Sequence, residues 1–391
     1  MKPIFQHPLF ALGFRPFFLA GPIFAVFVVL YWSGYHSSYL QLPEYFGSAT
    51  AWHAHEMIFG FATAIIAGFL LTASKNWTNT RGVCGGDLFL LFTVWVLGRA
   101  AMQIPDLLPT KVAAGIDLAF LPLLIAYLAN TLIRGKKASN LFLLVWLALL
   151  FAGNTLMHLD AMGIAPDQAR RGYLLGTDSV ILLILILGGR VIPMFTQNAI
   201  PGVIIIKHKA LDILSLASAA TYLVLDTVLA ESYPTGLAAI TAGVLAGIRW
   251  STWKPLTTRH HPILWVLHLG YFMISIGLFS RGLSMTFFPA RSAIALHLLT
   301  AGGMGLLILG MISRVALGHT GRPIVAPPSI VIAYYLVAAG ALIRVTAPLV
   351  FDSWYIAALV ASAVFWAAGF ALYVISYWPV LTRPRVDGKI G

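Results

Sequence analysis

Along this chain, long apolar runs alternate with short polar connections. Twelve stretches, at about residues 16–35, 50–73, 87–104, 111–133, 140–159, 173–195, 209–229, 235–250, 261–281, 292–316, 327–348 and 354–379, read as helices that cross a bilayer at 1.5 Å per residue. The connections leave no room for a soluble domain. The pattern predicts an all-α, polytopic membrane helical bundle of about 12 transmembrane helices, with residues 1–391 as a single integral membrane domain.

Composition agrees: 59% of the residues are hydrophobic, only 10% are charged, and the mean hydropathy is +0.87. The one cysteine, Cys84, excludes an internal disulfide or a thiolate cluster built within one chain, so a metal here must rest on His, Met or carboxylate. The net charge of +12 is spread between apolar spans, which argues for topology signals and against nucleic acid as a partner. With both termini cytoplasmic, 18 of the 25 basic residues fall on inner ends and loops, including Lys2, Arg15, Arg190, Lys207, Arg249, Arg314 and Arg385. The outer ends then hold Arg99, Lys111, Arg170, Arg171, Arg281, Arg291 and Arg344 with Glu44, Asp106, Asp160, Asp167, Asp226, Glu231 and Asp352. The first residues lack a cleavable signal pattern and are read as retained.

Polar side chains inside such spans are functional candidates because burying them is costly. The second span opens with Trp-His-Ala-His-Glu, placing His53, His55 and Glu56 at the mouth of an apolar helix. Successive residues rotate by about 100°, so His53 and Glu56 share one stripe and His55 lies roughly opposite. One regular helix therefore cannot aim both histidines at one metal. The small residues below His53 suit either a flat ligand or close helix packing.

The topology places His53, His55, His158 and His297 in an outer layer, with Asp160 beside His158 and Asp178 about two turns into the sixth span. An inner layer holds His260, His261, His268, His319, His7, Arg15, Arg190 and Arg314. His297 and His319 are 22 residues apart, about 33 Å along a helix, so they cannot serve one centre. Imidazole suits haem iron, copper and non-haem iron, and an arginine beside a haem pairs with its propionates. The plainer reading of any one of these histidines is a hydrogen bond to a neighbouring helix. For Glu56 and Asp178, proton delivery and the orienting of a ligating histidine stand equal. Arg170, Lys207 and the tail Arg383 to Lys389 read as solvated or lipid-headgroup contacts, and His208 and His36 as facing solvent. The glycine-rich AGGMGLLILG of the tenth span reads as a helix-packing surface.

Several blocks carry a family resemblance: GFRPFFLAG (residues 13–21), WHAHEMIFGF (52–61) with its AGFLLTA continuation, GGRVIPMFT (188–196), and HLLTAGGMG with MISRVALGHTGR (297–322). In order and extent they resemble the NnrS family of bacterial membrane proteins. The resemblance implies a twelve-span protein of the bacterial inner membrane that binds haem, with copper, and acts in the response to nitric oxide; together with the imidazole ligands the expected cofactors are a b-type haem and copper or non-haem iron. Its blocks point to His53, His55, Glu56, Arg15, Arg190, His297, Arg314 and His319; His158, Asp178, His260, His261 and His268 come from topology alone.

The resulting expectation is reduction of nitric oxide to nitrous oxide, with electrons from a quinol or small redox protein. His53, His55, His158 and His297 would ligate metal, and His268 and His319 are further haem candidates. Glu56 and Asp178 would deliver protons, and Arg15, Arg190 and Arg314 would meet propionates or other anions. Two rivals are a non-catalytic haem or metal protein that binds or senses nitric oxide or protects the iron pool, and a transporter of metal or small anions.

Overall fold

A computed structural model describes residues 4–104, 107–288, 292–350 and 354–389. Lys2, Asp106, Arg291 and Asp352, used above as topology charges, lie outside the described residues. Among the described residues there are twelve long helices: α1 (Phe14–His36), α2 (Ala49–Thr78), α3 (Gly86–Gln103), α4 (Thr110–Arg134), α5 (Phe142–Ala161), α6 (Ala169–Ala199), α7 (Lys209–Leu229), α8 (Tyr233–Ser251), α9 (Pro262–Thr286), α10 (Ser292–His319), α11 (Pro328–Val350) and α12 (Tyr355–Thr382). Ten are long and apolar enough to cross a membrane; α3 and α8, shorter and interrupted by polar residues, fall outside that set. The chain is thus an all-α, multi-pass membrane protein, as its hydropathy predicts.

The chain divides into two compact units. The first comprises Met1–Gly176, Val315–Pro323 and Val374–Gly391, and the second Thr177–Arg314 and Ile324–Tyr373. In the first unit α1 lies along α2, with Phe17 and Phe18 packed over Gly68, where an added Cβ would meet Phe18 at 2.9 Å. The Phe14 N–H donates to Thr72 Oγ1 at 2.9 Å and ties the start of α1 to the far half of α2. Arg15, fully buried, donates to the carbonyls of Leu381 (2.9 Å) and Arg383 (2.8 Å). Arg385 donates to the His319 carbonyl at 2.8 Å, so the start of α1, the end of α10 and the tail after α12 share one end of this unit. That common end is what the positive-inside assignment requires of these segments.

In the second unit α8 and α9 meet backbone to backbone. A Cβ on Gly282 would lie 2.4 Å from the Gly236 carbonyl oxygen, and Ser275 Oγ donates to the Gly243 carbonyl at 2.7 Å. Small residues let membrane helices approach this closely. The glycine-rich stretch of α10 does the same against α9, where Gly303 accommodates Ile274 and Gly310 accommodates Val266. This is the packing role read from the sequence.

Candidate metal centre

Helix α2 is not regular. Ser48 caps its start, with Oγ accepting the Ala51 N–H at 3.1 Å, and the segment Ala49–His55 is α-helical. From Glu56 to Ala62 the helix widens into a seven-residue π segment, then returns to α geometry over Thr63–Thr78. Wide turns of this kind recur at functional sites. His55 stands at the junction, and Glu56 is the first residue beyond it.

Around this junction α3, α4 and α5 contribute one polar residue or two each to an otherwise apolar interior. His55 Nδ1 lies 2.7 Å from Glu56 Oε1, and its Nε2 lies 2.9 Å from Asn154 Oδ1 and 3.3 Å from Asp117 Oδ2. His158 Nε2 is 2.9 Å from the same Asp117 oxygen, which also accepts from Asn154 Nδ2 at 2.8 Å. On the far side of His158, Nδ1 is 2.9 Å from the hydroxyl of Tyr45, in the connection between α1 and α2. Arg99 joins the two carboxylates, donating through Nη1 to Glu56 Oε1 at 2.7 Å and through Nη2 to Asp117 Oδ1. Gln103 donates to Glu56 Oε2 at 3.2 Å. Burial is almost complete: His55, Glu56 and His158 expose no surface, and Asp117 and Asn154 expose 3% each. Phe46 and Phe59 pack on the His55 ring at 4.4 and 5.4 Å.

Both nitrogens of His55 face only acceptor oxygens, because Asn154 turns its amide nitrogen to Asp117. An imidazole carrying a proton on each nitrogen satisfies both. The two carboxylates are then matched by Arg99 and an imidazolium. A cation at Nε2 would take the place of that proton. Of the groups here, one ligand atom each from His55, Asp117 and His158 lie within 4.8 Å of one another. Two imidazoles and a carboxylate at bonds of about 2.0–2.2 Å stand about 3–3.5 Å apart in a tetrahedral shell, so the arrangement fits a small ion. Glu56 behind His55 and Tyr45 behind His158 hold the rings in place as carboxylates and hydroxyls do behind ligating histidines. The same geometry does not fit haem iron at His55, since Asp117 and Asn154 fill the space in front of Nε2 that a macrocycle needs.

Of the expected site residues, the structure brings together His55, Glu56 and His158. His53 turns away from His55, as helical rotation predicts, and its ring stacks on Trp32 at 4.5 Å; Glu56, expected on the stripe of His53, instead bonds the adjacent His55. His36, expected to face solvent, is half-buried with its ring edge-on to Trp32 at 4.4 Å, because the two residues share one face of α1. Asp160 accepts the Ala169 N–H at 2.7 Å at the start of α6. His319 packs on Phe14 at 5.8 Å, and the His7 ring accepts the Leu9 N–H at 3.2 Å.

The second unit holds the remaining candidates. Asp178 faces Asp226, Tyr222 and Arg281, all nearly or fully buried, and Arg281 also reaches Glu231 at 2.7 Å. His268 Nε2 meets Thr196 Oγ1 at 2.9 Å, while its buried Nδ1 has no hydrogen-bond partner among the described residues. His297 Nδ1 lies 2.7 Å from the Ala293 carbonyl, one turn back on its own helix. Arg314 sits over the Phe195 ring at 3.9 Å, Arg190 lines a cavity with Lys207 and His208, and His260 and His261 are exposed.

Asp117, Arg99, Asn154, Tyr45 and Gln103 escaped the sequence reading. Arg99 was counted as an outer-end topology charge, yet it is 7% exposed. A signal existed: Asp117 in AAGIDLAFLP and Arg99 in VWVLGRAAM are single charges inside apolar runs, and Asn154 lies four residues before His158, on the same helical face.

No curated protein matches the chain. The family model described as NnrS protein matches residues 8–385, nearly its whole length. On that match the chain belongs to the NnrS family.

Proposed function

We propose that this protein is a metal- and haem-carrying protein of the bacterial inner membrane that detoxifies nitric oxide. In the most concrete form, two molecules of nitric oxide, two electrons and two protons give nitrous oxide and water. The observation that supports the metal centre is the convergence of His55, Asp117 and His158 in a buried site. Family membership supports the haem and nitric oxide part of the reading.

A redox-active ion held by His55, Asp117 and His158 would supply an electrophilic centre for nitric oxide and a route for electrons. The chain's own residues do the rest. His55 and His158 present Nε2 and Asp117 presents Oδ2, while Arg99 fixes Asp117 from its other oxygen and offsets its charge. Glu56 receives donors on both oxygens, from Arg99 and His55 on one and Gln103 on the other, which favours the orienting role over proton delivery. Phe46 and Phe59 keep water from the His55 ring. Asp178, buried beside Asp226 and Tyr222, is the carboxyl better placed to hold and release a proton.

For haem, His297 is the best-arranged imidazole. Its Nδ1 is tied to the Ala293 carbonyl, which sets the tautomer and leaves Nε2 as the nitrogen for iron. The electron donor in this reading is a quinol or a small redox protein. A non-catalytic role, binding or sensing nitric oxide, is the second reading, and the complete enclosure of His55, Glu56 and His158 favours it.

The test is turnover by purified protein supplied with an electron donor, with nitric oxide and nitrous oxide measured together. Many equivalents of nitrous oxide per protein support the reductase. Stoichiometric uptake without nitrous oxide supports the binding protein, and protein with neither haem absorption nor bound metal overturns both.

A further inference from the structure

The second unit contains a cavity of about 240 Å³ where three helix ends meet a non-helical connection. Its wall takes Arg190 and Pro193 from α6, Lys207 and His208 from the connection at residues 200–208, Asp212 from α7 and Arg249 from the end of α8. The floor is a locked ion pair. Arg249 Nε donates to Asp212 Oδ1 at 2.6 Å and Nη1 donates to the Leu185 carbonyl at 2.9 Å. The guanidinium lies so close to α6 that a Cβ on Gly189 would fall 2.1 Å from Nη2, which accounts for the second glycine of the Gly-Gly-Arg sequence. Arg190 and Lys207, both exposed, then stand at the mouth, so the lining carries more positive charge than Asp212 offsets.

The surroundings of this mouth are apolar. Ile204 and Ile206, in the connection itself, are 70% and 69% exposed, and Ile205 between them is buried in the cavity wall. Bare isoleucines beside cations, at the ends of membrane-spanning helices, mark the depth where acyl chains give way to headgroups. Cations for a phosphate and an apolar flank for acyl chains describe one class of ligand.

We propose that this cavity binds the headgroup of an anionic phospholipid, with its phosphate between Arg190 and Lys207 and its chains along Ile204 and Ile206. The site is independent of the metal centre. It gives Arg190, expected from sequence to meet an anion, a ligand that is neither substrate nor cofactor.

The experiment uses the full-length protein in nanodiscs of phosphatidylcholine with a small fraction of phosphatidylglycerol, with retained lipid counted by native mass spectrometry. Wild type is expected to keep one phosphatidylglycerol in preference to phosphatidylcholine. Each basic residue near a membrane surface contributes on the order of a fivefold factor in affinity, so the Arg190→Ala/Lys207→Ala double variant should retain the lipid about 30-fold less well. Ile204→Ser should weaken retention without changing the headgroup preference. Thermal melting of each variant checks that it is folded; if the double variant melts early, Arg190→Lys with Lys207→Gln gives the same comparison with less change in packing. Equal retention by folded wild type and double variant overturns the proposal. Displacement of the lipid by millimolar inorganic phosphate also overturns it, in favour of a site for a free anion.

Discussion

Helices α2 and α10 each run as an α-helix to a histidine, pass through a seven-residue π segment and resume as an α-helix, yet they equip that histidine differently. His55 in α2 is met by Glu56, Asp117, Asn154 and, through Asp117, Arg99. The hydrogen bond found for His297 in α10 goes to the carbonyl of Ala293 on its own helix. The first arrangement supplies several donor atoms around a point, which a small ion needs. The second supplies one oriented imidazole, which suits an iron whose other ligands come from a macrocycle. The contrast teaches that the local backbone shape marks where a histidine is displayed, while neighbouring helices decide what it can hold.

The largest expected effect comes from removing the carboxylate that the first arrangement shares. Asp117→Ala leaves Arg99, His55 and His158 without their common acceptor, and breaking a buried ion network in this way costs about 3–5 kcal/mol. Loss of bound metal together with a marked fall in melting temperature is the expected result; a variant that melts like wild type would show that the network is not closed as described. Next, His297→Ala should remove haem absorption while leaving the metal content of the His55 centre unchanged. Loss of both together would mean the two histidines are not separately equipped.

A smaller effect is expected from Glu56→Gln. It keeps the volume but removes the charge that orients His55, and changes behind a ligating histidine weaken metal affinity by about 10–100-fold. Titration with a competing chelator would measure it. Smaller again is the pH effect at Tyr45. Burial and the charge of Asp117 raise its phenol above the usual tyrosine range. The folded state therefore holds this proton more tightly than the unfolded chain, so its contribution is complete below a pH of about 10 and is lost as pH rises above that. Tyr45→Phe should flatten the alkaline fall in melting temperature and leave neutral pH little changed. His53→Gln, finally, should leave metal content within error, since His53 stacks on Trp32 away from the centre.

The helices were legible because a bilayer demands long apolar runs: each of the twelve expected spans corresponds to a helix, and ten of these helices are long and apolar enough to cross a membrane. The divergence of His53 from His55 was also legible, from rotation about the helix axis alone. The partners of His55 were not. Arg99 was counted as a topology charge and Asp117, a lone carboxylate in an apolar run, was passed over; no periodicity announces that residues 56–62 form a wider turn. Asp178 was singled out as a buried carboxyl and is 3% exposed, but its buried neighbours Asp226 and Arg281 were assigned to outer span ends because those ends were drawn by hydropathy.

X-ray absorption at the metal edge, on purified wild-type protein and on His158→Ala, tests the central claim most directly. Wild type should show a first shell of nitrogen and oxygen at about 2.0–2.2 Å containing two imidazoles. The variant should show one imidazole fewer or hold no stoichiometric metal. A sulfur-containing shell, or a spectrum and metal content unchanged by His158→Ala, would contradict a centre built on His55, Asp117 and His158.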